Sequence, residues 1–445
     1  MQTLFKFIHA ADIHLDSSLY GLERYEGAPV DDIRSAARRA FNNLIELAIT
    51  EEVSFVLLAG DLYDGDWKDY NTGLFFVECM NRLAIAEIKV FIVAGNHDAA
   101  SQITKHLKLP ANVTMFSTKK PEKVHIEPLN VTIYGQGFAT RAVTEDISQA
   151  YPQADPHSFN IGLLHTCLDG KPGHEPYAPC SIDGLKSKAY QYWALGHIHK
   201  REVVSKEPWI VFPGNIQGRH IRETGAKGCT LVTVNNQEVT QVEHRSLDVM
   251  RWYRYELDIS DKENPDEIYT MVEELFQSSI ESAQGRSIAL RLILTGSCAA
   301  HSQLNREYEH WLQEFRGLAN SLGSSSLGGN TLDGGTPDNN SAIWLEKLSI
   351  KTTQPASAEE ILARQDALGG LLRTINNLEI AEHSLSEYKS EELLNELIPL
   401  RKKLPPEMLT GEDPYDPLQS ALLNDSLEEI KELLVNRLLR SDQDN

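Results

Sequence analysis

The sequence predicts an α/β protein: a two-sheet β-sandwich flanked by helices, then a small α+β domain and a helical C-terminal tail. Three observations lead to this prediction. Short apolar runs alternate with polar loops through residues 1–247, as buried strands do. Only two helical patterns accompany them, which favours two packed sheets over a doubly wound sheet. After residue 355, apolar residues recur at three- and four-residue steps, which is typical of amphipathic helices.

The first predicted domain spans residues 1–247. Helices are predicted over residues 31–51 and 71–83, because apolar side chains there recur at helical spacing. Short apolar runs near residues 4, 55 and 89 are the first three predicted strands. Later runs of similar length predict strands at residues 113–116, 131–134, 159–164, 192–195, 209–212, 229–234 and 239–244.

The second predicted domain, residues 248–354, is a small α+β unit. Strand patterns cover residues 251–259, 288–295 and 342–350, and helical patterns cover 266–279 and 303–318. Residues 321–341 are rich in glycine, serine and asparagine, a composition that cannot bury a core. We expect them to form a flexible surface loop.

Residues 355–445 are predicted to form the helical tail. Two apolar stripes lie on either side of Pro405-Pro406, which breaks the helical pattern. Each stripe requires a partner surface. Packing on the chain's own domains and docking of another protein remain equal alternatives.

Composition limits the classes of protein to consider. Five scattered cysteines without a C-x-x-C pair argue against a disulfide framework and a thiolate zinc site. The longest apolar runs fall short of the ~20 residues that span a bilayer, and polar Asp12 and His14 come too early for a signal peptide. We therefore expect a cytoplasmic protein without a membrane span. The net charge of −22 argues against tight, independent binding of duplex DNA, but not against phosphodiester chemistry at a metal centre.

Metal-type ligands follow five of the predicted strands. Ligands bind at the carboxyl ends of strands in α/β sheets, so these side chains are expected to meet at one edge. Carboxylate, amide and imidazole donors suit Mn, Fe or Zn better than Ca or Mg, and seven donors exceed the needs of one ion. With Asp61 shared, they divide into two sites of four donors. The seven are Asp12, His14, Asp61, Asn96, His165, His197 and His199.

Two ions about 3.5–4 Å apart can activate water and clamp a phosphate. His97 directly follows the ligand Asn96, so we expect its ring to point elsewhere in the pocket, where it could protonate the leaving oxygen. Asp98 either orients that ring or ties the loop, and the loop role is favoured. His9 lies inside the first strand and is expected to be structural.

These motifs resemble those of the calcineurin-like metallophosphoesterase superfamily: DIH at Asp12, GDLYD at residues 60–64, GNHD at residues 95–98, LLHT at His165 and GHIH at residues 196–199. Within it, the chain is most similar to SbcD-type DNA-repair exonucleases. The resemblance implies the metallophosphoesterase fold, with the α+β unit as a capping domain and the tail binding an SbcC-type coiled-coil ATPase.

Position by position, the resemblance also implies the ligand sets. One metal would be held by Asp12, His14, Asp61 and His199, and the second by Asp61, Asn96, His165 and His197. His97 would be the catalytic histidine and Mn²⁺ the usual ion.

Three functions remain open. The first is a metal-dependent DNA exo/endonuclease that works in DNA repair with a coiled-coil ATPase, and a homodimer is possible. The second is a metallophosphoesterase acting on phosphoprotein or a small phosphodiester. The third is a non-catalytic subunit that recruits an ATPase. In the segment after the last ligands, Arg219, His220 and Arg222 either meet phosphates or belong to a solvated loop.

Overall fold

The computed structural model describes residues 4–17, 29–64, 70–100, 108–169, 177–260, 262, 264–325, 342–354, 398 and 401–402. Most of the predicted flexible loop (321–341) and nearly all of the predicted helical tail (355–445) lie outside these residues.

The described elements alternate strands and helices at first and are mostly strands later. The strands are β1 (Leu4–Ala10), β2 (Phe55–Leu58), β3 (Lys89–Ile92), β4 (Val113–Met115), β5 (Glu122–Ile126), β6 (Val131–Gln136), β7 (Phe159–His165), β8 (Tyr192–Gly196), β9 (Glu202–Lys206), β10 (Trp209–Phe212), β11 (Gly228–Asn235), β12 (Glu238–Ser246), β13 (Met250–Asp258), β14 (Ser287–Ser297) and β15 (Ile343–Thr353). The helices are α1 (Val30–Thr50), α2 (Tyr70–Ile85), α3 (Asn96–Ala100), α4 (Ile182–Lys186), α5 (Pro265–Ala283), α6 (His301–Arg306) and α7 (Tyr308–Ser325).

Two six-stranded sheets contain most of these strands. The first has the order β12-β11-β1-β2-β3-β4 and the second β5-β6-β7-β8-β10-β9. Strands β1 to β4 pair in parallel, as do β6, β7, β8 and β10, whereas the remaining pairs at the edges are antiparallel. Parallel strands buried on both faces require continuous apolar runs, which the sequence supplies.

A core rich in aromatic residues joins the two sheets. Phe7 and Phe55 stack with ring centroids 5.0 Å apart, and Tyr192 of the second sheet meets Phe7 edge to face at 5.2 Å. On the other face of the first sheet, α1 and α2 bury residues such as Phe41 and Met80. The mixed α/β fold with two large sheets and flanking helices, predicted from the sequence, is therefore confirmed.

The third sheet has the order β13-β14-β15. Near its start, Trp252 and Trp344 pack in a cluster with Ile33 of α1. Cα packing groups the chain into one unit of Met1–Leu257, Tyr269–Ile293 and Glu309–Ser349, and another of Asp258–Ile268, Leu294–Tyr308 and Ile350–Asn445. The domain boundaries at residues 247 and 354 stay a prediction.

Several details differ from the sequence prediction. Helix α7 continues to Ser325, five residues into the predicted loop, and α4 (Ile182–Lys186) was not predicted. The single helix predicted over residues 303–318 is two helices, because the chain leaves helical geometry at Glu307 with φ −108° and ψ 29°. Strands β5 and β9 were not predicted, since their sequences EKVHI and EVVSK carry charged residues and lie at or next to the ends of the second sheet. All five cysteines are free and buried, as expected.

Candidate metal centre

The seven predicted donors lie at the carboxyl ends of strands from both large sheets. The chain turns sharply there, and four of the donors have positive φ angles: Asp12 at 52°, His14 at 47°, Asp61 at 54° and His197 at 105°. Such backbone geometry costs about 1–3 kcal/mol at a non-glycine residue and concentrates at functional sites. The donors follow β1, β2, β3, β7 and β8, and are Asp12, His14, Asp61, Asn96, His165, His197 and His199.

Asp61 lies between imidazoles contributed by different strands. Its Oδ2 is 3.5 Å from Nε2 of His165 and 3.9 Å from Nε2 of His14. Its Oδ1 accepts the backbone N–H of His97 at 2.9 Å. Gly95 permits this approach, since a Cβ there would lie 2.2 Å from Asp61 Oδ1. One carboxylate oxygen is therefore fixed, and the other faces two histidines.

A first group of donors comprises Asp12, His14 and His199, whose ligand atoms lie within 4.8 Å of one another. His14 Nε2 is 3.3 Å from His199 Nε2, and His199 Nε2 is 3.9 Å from Asp12 Oδ1. Two donors each about 2.1 Å from one ion lie roughly 3.0–3.4 Å apart. The two histidine nitrogens thus have the spacing of ligands to a common ion.

A second group gathers around His165. Its Nδ1 donates to the carbonyl of Ala59 at 2.9 Å, which leaves Nε2 as an acceptor. That Nε2 lies 2.9 Å from Oδ1 of Asn96 in a buried site, a spacing close to that of two donors to one cation. The ring of His197 lies 5.2 Å from that of His165, centroid to centroid.

The charges of the buried groups also fit cations. Burial raises the pKa of Asp61, but the imidazoles of His165 and His14 outweigh it and lower the pKa to about 2. Burial lowers the pKa of His14 to about 3, which favours the neutral imidazole that binds a metal. Burial also raises the pKa of Asp12, so the ionised form of this carboxylate would need a nearby cation to stabilise it. Carboxylate and imidazole donors bind divalent transition metals, so the residues present fit such ions.

His97 lies beside the first donor group and, with His14 and Asp64, forms a further set whose ligand atoms lie within 4.8 Å of one another. Its Nδ1 lies 2.9 Å from Oδ1 of Asp64. Burial opposes protonation, but the hydrogen bond to Asp64 raises the pKa of His97 above its ordinary value. The nearby imidazoles of His14 and His97, working against burial, lower the pKa of Asp64. The pair is an imidazole oriented by an ionised carboxylate.

Asp98 ties the loop, as favoured by the sequence. Its Oδ1 accepts the backbone N–H groups of Leu62 and Tyr63 at 2.9 and 3.1 Å, and its Oδ2 accepts that of Gly95 at 3.0 Å. The ring of His97 is oriented by Asp64 instead, a role that sequence reasoning missed. The sequence did offer a signal for this role, because Asp64 is the last residue of the GDLYD motif.

Sequence reasoning also missed Glu223. Its Oε1 lies 2.6 Å from His199 Nδ1, and its side chain is only 6 % exposed. Arg219 is largely buried beside it at 3.4 Å, whereas His220 and Arg222 are exposed. The GRHIRE segment is thus neither a wholly solvated loop nor a simple row of basic side chains.

His9 is structural, as expected from its place inside β1. Its Nδ1 lies 3.0 Å from the Tyr192 hydroxyl, and its Nε2 lies 3.1 Å from the Leu195 carbonyl. Burial lowers the pKa of His9 to about 3. This histidine joins the two sheets without taking part in either donor group.

Two family models match different parts of the chain. The model described as calcineurin-like phosphoesterase matches residues 5–201, which include all the predicted donors. The model described as the middle domain of metallophosphoesterase YhaO matches residues 252–353. Among the residues that the structure describes, no helix is long and apolar enough to cross a membrane.

Similar proteins include two curated relatives. The chain is 37 % identical over 301 residues to "Uncharacterized metallophosphoesterase YhaO" of Bacillus subtilis, covering 67 % of this chain and 73 % of the relative. It is 26 % identical over 263 residues to "DNA double-strand break repair protein Mre11" of Sulfurisphaera tokodaii, covering 56 % of this chain and 64 % of that protein.

Solved structures with detectable similarity include a dimetal phosphatase from Danio rerio, with a TM-score of 0.32 and 11 % identity over 55 % of this chain and 100 % of the other. GAP50, described as the anchor in the inner membrane complex of Plasmodium, has a TM-score of 0.31 and 11 % identity over 55 % of this chain and 89 % of the other. At these TM-scores neither similarity bears on function.

Proposed function

We propose that this chain, which belongs to the calcineurin-like metallophosphoesterase superfamily, is an SbcD-type DNA exo/endonuclease that hydrolyses phosphodiester bonds at a two-metal centre. The observation that carries the proposal is the position of Asp61, with one oxygen facing His165 and His14 from separate donor groups. The substrate class is supported by the similarity to Mre11, a protein named for the repair of DNA double-strand breaks.

The proposed ligand sets follow from the two donor groups. The first ion is assigned to Asp12, His14, Asp61 and His199, and the second to Asp61, Asn96, His165 and His197. Two Mn²⁺ ions are proposed, because mixed carboxylate, amide and imidazole donors suit this class of cation. When bound, the ions supply Lewis-acid activation of water and neutralise phosphate charge.

His97 is proposed as the general acid. Its Nδ1 is held by Asp64, which leaves Nε2 for the substrate. The raised pKa favours the protonated ring, whose proton would pass to the leaving oxygen as water adds to phosphorus and the phosphodiester bond breaks. The backbone N–H of His97 is held by Asp61, so the acid is fixed relative to both donor groups.

The first experiment measures Mn²⁺-dependent degradation of labelled DNA by the full-length protein. We expect activity with Mn²⁺ and none in the presence of a chelator. His97→Ala should lower the rate by roughly 10²–10⁴-fold, the usual contribution of a general acid, while both ions remain bound in elemental analysis. His125→Ala is the matched control, because His125 is a partly exposed histidine outside the donor groups. Equal loss of metal and activity in His97→Ala would contradict the acid role.

A phosphoesterase acting on phosphoprotein or a small phosphodiester is the second candidate, and the net charge of −22 favours it, since it opposes a polyanionic substrate. Rates on single-stranded DNA, double-stranded DNA, a chromogenic phosphodiester and a phosphopeptide separate the two candidates. Activity confined to the small substrates would exclude the nuclease. The third reading, a non-catalytic subunit, is opposed by the complete donor set.

The partner proposals concern residues 355–445, nearly all of which lie outside the described residues. We propose that this segment docks an SbcC-type coiled-coil ATPase, and that the protein acts in the cytoplasm, where a homodimer is possible. Truncation near Pro355 should leave hydrolysis of a generic phosphodiester intact while abolishing ATPase association. An insoluble truncated product would show instead that the segment completes the core.

A further inference from the structure

Residues 214–228 surround the donor His199 on two sides. Its carbonyl oxygen accepts from the backbone N–H of Asn215 at 3.3 Å and from Nζ of Lys227 at 3.2 Å. Its Nδ1 meets Glu223 at 2.6 Å. Both the backbone and the ring of this histidine are therefore held by one segment, which follows β10 and leads into β11.

Glu223 is itself held in one position by several donors. Its Oε2 accepts Nδ2 of Asn215 at 2.9 Å and the backbone N–H of Arg219 at 2.8 Å. Its backbone N–H donates to the carbonyl of His220 at 2.9 Å. The whole residue is 5 % exposed. The carboxylate therefore has little freedom to move away from His199.

A carboxylate held in this way determines the tautomer of the imidazole. Glu223 Oε1 lies 2.6 Å from Nδ1 of His199, and its Oε2 accepts two N–H groups, so the carboxylate acts as an acceptor throughout. In this contact Nδ1 is therefore the donor. Nε2, the ring nitrogen left for a metal, faces His14 Nε2 at 3.3 Å and Asp12 Oδ1 at 3.9 Å.

We infer that Glu223 is a positioning residue for the first metal: it accepts the Nδ1 proton of His199 and so directs Nε2 at the ion. This inference rests on the metal centre of the proposed function. It does not depend on the identity of the substrate. Carboxylates that hold metal-binding histidines in this way contribute about 10–100-fold to metal affinity or activity.

Arg219 connects this carboxylate with the one that orients His97. Its NH2 lies 3.4 Å from Glu223 Oε1, and its NH1 lies 3.9 Å from Asp64 Oδ2 and 3.3 Å from Ser17 Oγ. The guanidinium is thus shared between the supports of a metal ligand and of the general acid.

The test is a titration of metal-free, full-length protein with Mn²⁺, followed by calorimetry. In Glu223→Ala we expect one of the two sites to weaken by about 10–100-fold, with the other unchanged. Glu223→Gln should bind more tightly than Glu223→Ala, because its amide oxygen still accepts from Nδ1. Glu51→Ala is the matched control: Glu51 is a partly buried glutamate whose partners are Lys6 and Arg245, and its loss should leave both sites unchanged.

Three outcomes would overturn the inference. The first is wild-type affinity at both sites in Glu223→Ala. The second is a Glu223→Gln variant as weak as Glu223→Ala, which would remove the tautomer argument. The third is equal weakening of both sites together with a lower melting temperature of the metal-free protein, which would indicate a structural role. Failure of the proposed nuclease is distinguishable, because it would leave two-site binding intact without DNA cleavage.

Discussion

The two halves of the metal centre hold their histidines by different means. At the end of β7, His165 is fully buried and donates Nδ1 to a main-chain carbonyl, that of Ala59. After β8, the side chain of His199 is 26 % exposed and donates to the side chain of Glu223. A main-chain support is set by the backbone and has no side chain that a substitution could remove. A side-chain support carries charge, depends on the identity of one residue, and can be altered without disturbing the strand.

The largest effect is expected from a substitution that weakens both metal sites at once. Asp61→Asn weakens the shared carboxylate between the two donor groups, so bound metal should fall from about two ions per chain to below one. Loss of several kcal/mol of charge stabilisation corresponds to a decrease in rate of about 10³-fold or more. Elemental analysis and a phosphodiesterase assay measure the two quantities. Unchanged metal content would show that the ligand assignment is wrong.

The next effect concerns His97, the proposed general acid, which belongs to neither half. Asp64→Ala removes the partner that orients His97 Nδ1 at 2.9 Å, and we expect the rate to fall by roughly 10²-fold with metal retained. Asp64→Asn keeps an acceptor for that nitrogen and should recover part of the rate. An identical rate in the alanine variant would exclude Asp64 from orienting the acid.

The main-chain support of His165 can be tested with a substitution that introduces a steric clash. Gly60 has φ +91°, and a Cβ there would lie 2.5 Å from Nδ1 of His165. We expect Gly60→Ala to weaken the second metal site. The steric clash should also lower the free energy of unfolding by about 1–3 kcal/mol, in addition to the cost of backbone strain at this φ angle. Gly225→Ala is the control, because φ is +78° and nothing lies within 4 Å, so only backbone strain of about 1–2 kcal/mol applies. Equal losses of unfolding free energy in Gly60→Ala and Gly225→Ala, measured by denaturant unfolding, would contradict a steric clash at Gly60.

The smallest effect at neutral pH is expected at His9, whose ring is also held by a carbonyl but without a donor role. Its pKa is about 3 when folded and about 6.5 when unfolded. Between these values the unfolded chain binds the extra proton, so stability is lost as the pH falls below 6.5, by about 2 kcal/mol at pH 5. His9→Gln should reduce the difference in unfolding free energy between pH 7 and pH 5 by that amount.

The sequence predicted the parts of the site that are local in the chain. Each donor directly follows an apolar run, so Asp61 and His165 could be placed at strand ends without a structure. Asp64 and Glu223 could not be assigned in this way, because their partners are 33 and 24 residues distant and meet them only through the conformation of loops. The same holds for β5, whose charged sequence lacks the apolar run that marks an interior strand.

Both large sheets contribute donors to each proposed ion. The first ion takes Asp12, His14 and Asp61 from the first sheet and His199 from the second, and the other ion is divided between the sheets as well. When bound, the ions would act as removable cross-links at one edge of the sandwich. Ligands that bind only the folded state add about 2.7 kcal/mol of stability at a free concentration 100 times the Kd. The melting temperature should thus rise with the free concentration of the divalent metal, so that metal supply would govern the lifetime of the folded protein as well as its rate of hydrolysis.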